Sequence, residues 1–362
     1  MHLYVHIPFC HHICPYCGFY KHTPGKLANA AFVEAILTES QRRRQTATDP
    51  IRTVYFGGGT PSLLSPTHLE SLCRGLANTF DLTEVTEWTL EANPATFDLA
   101  KARLMRELGV TRISLGTQSF DPETLATLGR DHSPADAIEA FETLRNAGFE
   151  NVSIDLMFSI PGQTLESWQN DLHQAAALRP DHISAYNLTY EEDTEFLTRH
   201  QSGELDSDED RDADLFYAAL DFLEEKGFAH YEISNYARPG FESQHNRAYW
   251  SGADYLGLGP GAVSTLNKER STTLPDTAAY MQAAQSGLET RTSIELLSED
   301  DLRLERIALL LRTREGLPTE WLPTPNPVES LIQQGLVIEQ TGFLRLTRAG
   351  KALADPIAAA LV

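Results

Sequence analysis

The sequence predicts an α/β protein: a partial (β/α)6 barrel of the TIM type, followed by a C-terminal α+β extension that contains a winged-helix-like domain. Three observations predict it. Residues 1–190 alternate short β-branched or aromatic runs with longer helical patterns, which implies right-handed crossovers and a parallel sheet. The motif-rich segments each fall at or near the C-terminal end of a candidate strand, the face where parallel barrels gather their chemistry. Residues 299–362 read helix, helix, hairpin, helix. An open doubly wound sheet also satisfies the first observation.

The six candidate strands are 3–7, 53–56, 88–91, 112–116, 152–158 and 182–188, with helical patterns at 27–44, 66–79, 97–108, 134–147 and 164–178. Ser65-Pro66 and Ser133-Pro134 read as an N-cap followed by proline at the first helical position. Gly109 and Gly148 read as glycines closing helices. Residues 191–214 are strongly acidic. Asp206, Asp208 and Asp210 have the spacing of a calcium loop, but Arg211 and Tyr217 stand where such a loop needs glycine and glutamate. A solvated loop feeding acids into a helix N-terminus is the better reading. Residues 228–298 mix short strands with glycine-rich turns, notably at 255–264. The tail offers helices at 300–313 and 327–334, a hairpin at 336–347 turning on Thr341-Gly342, and a terminal helix. This divides the chain into a barrel (1–226), a connecting α+β segment (227–298) and the winged-helix-like unit (299–362).

The formal net charge is −22. Such a surface repels phosphate backbones, so general nucleic-acid binding is not expected. The winged-helix-like unit itself has nine acids against seven bases, which favours protein contact over DNA readout. The opening residues MHLYVHIPFC lack the basic and long apolar segments of a signal peptide. The densest apolar run, 307–311, is far too short to span a bilayer. A cytoplasmic protein that does not span the membrane is expected.

The chemistry concentrates in Cys10, Cys14 and Cys17, a Cx3Cx2C loop directly after the first strand. Three soft thiolates suit three irons of a [4Fe–4S] cubane and leave the fourth iron open to a small molecule. Zinc is the competitor: it would need a fourth ligand, for which His11, His12 and His22 are at hand. The remaining cysteine, Cys73, shares a helical stripe with Leu69, Leu72 and Leu76 and reads as core.

The loop resembles the radical SAM superfamily, whose signature is Cx3Cx2C on the first βα loop of a partial barrel. YVHIPFC (4–10), YFGGGTPSLL (55–64), LEANPAT (90–96), SLGTQSFD (114–121), IDLMFSIPGQT (154–164), HNRAYW (245–250), GADYLGLGPGAVS (252–264) and RLTRAGKALADPI (345–357) all resemble its HemN/HemW branch. Within that branch the pattern most resembles the HemW group of heme chaperones. Phe19 stands where HemN-type porphyrinogen enzymes have a fourth cysteine, and the N-terminal extension of those enzymes has no counterpart before the first strand. The HNxxYW element is a HemW-type feature.

The resemblance implies a [4Fe–4S] cluster on the three cysteines, with S-adenosylmethionine (SAM) on the open iron. It implies contacts to SAM from Tyr4, Tyr16 and the turn of Gly58, Gly59 and Thr60, and it puts Glu91, Gln118, Arg130 and Asp155 in the SAM pocket. The residue types agree. Glycines admit close backbone approach, a carboxylate accepts from ribose hydroxyls, and a guanidinium suits a carboxylate. Asp155, inside an apolar strand, demands a function or a structural ion pair. His245, in the HNxxYW element, is a candidate heme ligand or else a hydrogen-bonded core residue; His6, His11, His12 and His22 are further candidates. Lys21, Arg247 and Lys268 are candidate cations for the heme propionates. The function implied is a chaperone that transfers heme to acceptor hemoproteins such as respiratory enzymes. The alternative is a radical SAM enzyme acting on a porphyrinogen, or a methyltransferase. A homodimer is left open.

Overall fold

A computed structural model describes residues 1–25, 29–47, 49–322 and 328–362. Residues 27 and 28 of the first expected helix, and residue 327 of the tail helix, lie outside the described residues.

Six strands pair side by side in chain order, all parallel: β1 (His2–Ile7), β2 (Thr53–Gly58), β3 (Glu87–Ala92), β4 (Arg112–Gln118), β5 (Asn151–Phe158) and β6 (His182–Asn187). Helices Asn29–Arg43, Pro66–Thr79, Leu99–Glu107, Pro134–Asn146 and Leu165–Ala177 link them. These are the βα units expected from the sequence, with strand ends shifted by two residues or fewer. Beyond β6 the chain lays down β7 (Ala229–Glu232), β8 (Asn235–Ala237), β9 (Tyr255–Leu258), β10 (Val263–Leu266), β11 (Glu269–Thr273) and β12 (Arg291–Leu296). β8 pairs antiparallel with β6, and β7 with β8. β9 pairs with β1 in parallel, as a seventh parallel strand, and β10 to β12 follow it antiparallel. Residues 227–298 therefore supply strands to both margins of one 12-stranded sheet. The sheet does not close, since β1 and β6 each have another neighbour.

The strands alternate strictly, and the alternation decides what the barrel is for. Leu3, Val5, Val54, Phe56, Leu90, Ile113, Leu115, Val152, Ile154 and Ile183 face outward and are fully buried under the helices. Burial of each such side chain contributes about 1.5–3 kcal/mol. The intervening positions carry His2, Tyr4, His6, Thr53, Tyr55, Glu87, Glu91, Arg112, Ser114, Ser153, Asp155, His182 and Ser184. The barrel interior is thus polar, and the apolar core lies outside the sheet.

The helix ends follow local rules. Ser65 and Ser133 cap their helices ahead of proline, and Asp136 completes a capping box with Ser133. The acidic loop ends as read: Asp208 caps helix Glu209–Glu225, with Glu209, Asp210 and Asp212 in its first turn. Residues 299–362 form helix Glu299–Leu311, β13 (Leu317–Pro318), helix Val328–Gln333, β14 (Val337–Gln340), β15 (Phe343–Leu346) and terminal helix Ala354–Leu361. Their small sheet, in the order β13-β15-β14, packs around a second apolar cluster with Ile307, Leu311, Leu344 and Leu361 at its centre.

Candidate metal centre

The cysteine loop leaves β1 at the C-terminal mouth of the barrel. Its base is zipped by two backbone bonds, His22 N to Pro8 O (2.9 Å) and Cys10 N to His22 O (3.1 Å). Cys10, Cys14 and Cys17 are half-buried and line one cavity with Tyr16, Gly58, Gly59, Thr60, Asn93 and Arg130. Thr60 Oγ1 donates to Cys10 Sγ and Arg130 Nη1 to Cys14 Sγ, both at 3.7 Å. Burial pushes the Cys10 and Cys17 thiols up, with Thr60 and the Phe19 backbone pulling the other way.

The donor set fits a cluster better than a single ion. Among the described residues, no three His, Cys, Asp or Glu groups converge on one ion position, as a tetrahedral zinc site requires. A cubane places each thiolate on its own iron and needs no such convergence. His22 is otherwise engaged, with Nδ1 on Thr23 O and Nε2 on Thr277 Oγ1, each at 2.7 Å. The cavity also holds two buried polar atoms without a partner, Arg130 Nε and Asn93 Oδ1. They offer a donor and an acceptor to a polar ligand beside the cysteines.

The glycine turn is pressed against β1. Gly58 has φ +111, and a Cβ there would stand 2.5 Å from the His6 ring; no other residue type fits. His6 in turn links Tyr4 Oη (3.0 Å, through Nδ1) to Tyr20 O (2.8 Å, through Nε2). Gly259, of the glycine-rich 252–264 segment, has φ +97 and comes as close from the end of the neighbouring strand β9: its Cβ would meet His6 O at 2.5 Å.

Behind the cavity, Glu91 accepts from Tyr55 Oη (2.7 Å) and from Gly58 N (3.1 Å). Burial raises its carboxyl to about 7; Tyr55 pulls it down and Asp155 pushes it up. Asp155 is raised by burial too, but among the described residues it has no ion pair. Ser114 Oγ donates to it at 2.8 and 3.0 Å, and Ser153 Oγ at 3.1 Å. The expected partner for this strand carboxylate is thus a cradle of hydroxyls. Gln118 ends β4 at φ +66, a left-handed conformation that ends the ladder and starts the turn. Arg130 Nη2 donates to Gly116 O (2.8 Å), which ties it to the same strand. Tyr16 packs with Leu128, Met157 and Phe196.

His245 is not brought to this mouth. Its Nδ1 pairs with Thr53 Oγ1 (2.7 Å) at the first residue of β2, roughly 17 Å down the strand from the glycine turn. It is buried against Tyr55 and His2, and burial lowers it to about 3. This is the hydrogen-bonded core placement rather than an open ligand position. Arg247 is paired with Glu315 (3.0 Å) and Lys268 with Glu299, away from the cysteines, whereas Lys21 lines the cavity and donates to Cys17 O.

Sequence reasoning missed Tyr55, Ser114, Ser153 and Arg112, and it named His6 only as a candidate ligand, not as the support of the glycine turn. The signal for all of them was the alternation of the strands, which assigns every second residue to the interior.

The family model described as the Radical SAM superfamily matches residues 4–175. The chain is 38% identical to Heme chaperone HemW of Lactococcus lactis over 318 residues, which covers 88% of this chain and 83% of that protein. It is 33% identical to Heme chaperone HemW of Bacillus subtilis over 371 residues, 98% of this chain and 97% of the relative. The chain belongs to the radical SAM superfamily. Membership implies a [4Fe–4S] cluster and SAM, in agreement with the cysteine loop. The structure of the radical SAM enzyme HemN, coproporphyrinogen III oxidase of Escherichia coli, superposes with a TM-score of 0.86 at 24% identity, covering 99% of this chain and 89% of that one. That likeness shows that the two chains share one overall fold, barrel and C-terminal unit together. Among the described residues, no helix is long and apolar enough to cross a membrane.

Proposed function

We propose that the chain is a heme chaperone: it binds heme and passes it to acceptor hemoproteins such as respiratory enzymes, and it carries a SAM-ligated [4Fe–4S] cluster. The observation that carries this is identity of 33–38% with two proteins named Heme chaperone HemW, over most of both chains. Phe19 supports it. This side chain sits in the cysteine loop with 72% of its surface exposed, where a porphyrinogen-oxidising relative would carry a fourth thiol. The thiol-rich site needs a reducing compartment, which supports a cytoplasmic location.

Cys10, Cys14 and Cys17 hold the cluster in this reading. Gly58, Gly59 and Thr60 present backbone groups to the amino end of SAM, and Arg130 takes its carboxylate. Glu91, Gln118 and Asp155 meet the ribose, with Tyr4 and Tyr16 as its apolar walls. When bound, cluster and SAM supply one-electron chemistry. The protein's part is to orient both and to keep water from the open iron. Of the three candidate cations for a heme propionate, Lys21 is the one that lines the cysteine cavity.

The test is anaerobic cluster reconstitution followed by two measurements. Heme is titrated spectroscopically, and coproporphyrinogen III is incubated with SAM and dithionite while 5′-deoxyadenosine is measured. Heme binding and transfer to an apo-hemoprotein, with coproporphyrinogen unconsumed, is the expected result. Turnover of coproporphyrinogen would overturn it.

A further inference from the structure

A residue 255 positions downstream closes the cysteine loop. Thr277 begins helix Thr277–Ser286 and is fully buried. Its Oγ1 bonds His22 Nε2 (2.7 Å) and Tyr20 Oη (3.1 Å), and its backbone N donates to Tyr20 Oη (2.8 Å). Tyr20 and His22 form the exit of the cysteine loop. Tyr20 O is the atom that holds His6 under the glycine turn, and His22 makes both backbone bonds that zip the loop base.

The post that Thr277 stands on is fixed independently. Tyr280 Oη donates to the buried Glu39 carboxylate (2.6 Å), which also accepts from Gly259 N and Thr290 Oγ1, both at 2.9 Å. Arg42 donates to Ala284 O (2.8 Å) and Leu288 O (2.9 Å) at the other end of the helix. The helix is therefore bolted to helix Asn29–Arg43 at both ends.

We propose that Thr277 is a positioning residue for the cluster: it latches the loop exit, so that the three thiols hold the spacing the cubane needs. The inference rests on the cluster reading above. A loop pinned at both its base and its exit loses less conformational freedom when it takes up iron.

The test compares wild type with Thr277→Val, which keeps the shape and removes both Oγ1 bonds. Thr277→Ser restores the hydroxyl. Cys73→Ala serves as a control for general destabilisation of the core. After anaerobic reconstitution, iron per chain, the spectrum of the reduced cluster by electron paramagnetic resonance, and the rate of cluster loss in air are measured, with thermal unfolding of the cluster-free proteins alongside. Thr277→Val is expected to lose its cluster about fivefold faster, as removal of a net ~1 kcal/mol of hydrogen bonding predicts, and to show an altered spectrum. Thr277→Ser and Cys73→Ala are expected to match wild type in both. Cluster loss at the wild-type rate in Thr277→Val, or equal acceleration in Cys73→Ala, would overturn the proposal. Failure of wild type to take up a cluster at all would instead overturn the cluster reading itself.

Discussion

The Tyr55 hydroxyl donates a 2.7 Å hydrogen bond to one carboxylate oxygen of Glu91, while the other accepts from the backbone of Gly58 at 3.1 Å. One carboxylate thus joins the barrel interior to the glycine turn at its mouth. Replacing Tyr55 with Phe leaves a buried oxygen of Glu91 without its donor, at a cost of about 1–2 kcal/mol. SAM affinity is expected to fall roughly tenfold, with the iron content of reconstituted protein unchanged. Equilibrium dialysis with SAM checks this, and an unchanged Kd would show that Glu91 does not need Tyr55 to be oriented.

Glu91 also makes the cluster-free protein sensitive to pH. Its carboxyl is held at about 7 in the fold and returns to about 4.3 when unfolded. The folded state therefore keeps a proton that the unfolded state releases. The stability this gives is fully present below pH ~4.3 and is lost as pH rises through 7, by up to roughly 4 kcal/mol. Urea unfolding at pH 5 and pH 8 should show a smaller difference in Glu91→Gln than in wild type. Equal differences would remove Glu91 as the cause.

His245 sits on the barrel floor, bonded to Thr53. His245→Ala is expected to lower the unfolding temperature by several degrees, as loss of a buried, bonded side chain does. The absorption spectrum of bound heme should stay the same. A shifted Soret band in this variant would reinstate His245 as a ligand.

Arg312 joins the barrel to the C-terminal unit through two carboxylates of opposite character. Glu232 is 6% exposed and 3.2 Å away, and Asp355 is 81% exposed. Arg312→Ala strands the buried Glu232, which among the described residues retains Ser234 N and Asn235 Nδ2 as donors. The expected loss is about 2 kcal/mol. Asp355→Ala should unfold with wild type in the same chemical-denaturation experiment, because an exposed pair contributes little. Equal losses in both variants would contradict the distinction.

What could be read in advance followed physical range. The six parallel strands were legible because β-branched runs mark them locally, and the caps at Ser65 and Ser133 because serine and proline are adjacent in sequence. β9 was not marked as a parallel strand: its four residues include Gly257, and its place in the sheet comes from pairing with β1, about 250 residues away, and with β10. Asp155 was flagged as needing a partner, yet its serines lie on β4 and on its own strand and carry no local signature. The three cysteines were plain because soft ligands at that spacing have few other uses. Arg130 and Tyr16 line the same cavity. His245 does not, since a motif in the chain says nothing about which end of the barrel its helix covers.

The 255-residue separation between His22 and Thr277 also sets an order of events during synthesis. The cysteine loop leaves the ribosome early, and its latch follows roughly 13–50 s later at ordinary elongation rates. Through that interval the thiols are exposed on a loop with an open exit, free to meet oxidants or the wrong metal. On the cluster reading proposed above, iron is therefore best delivered after release.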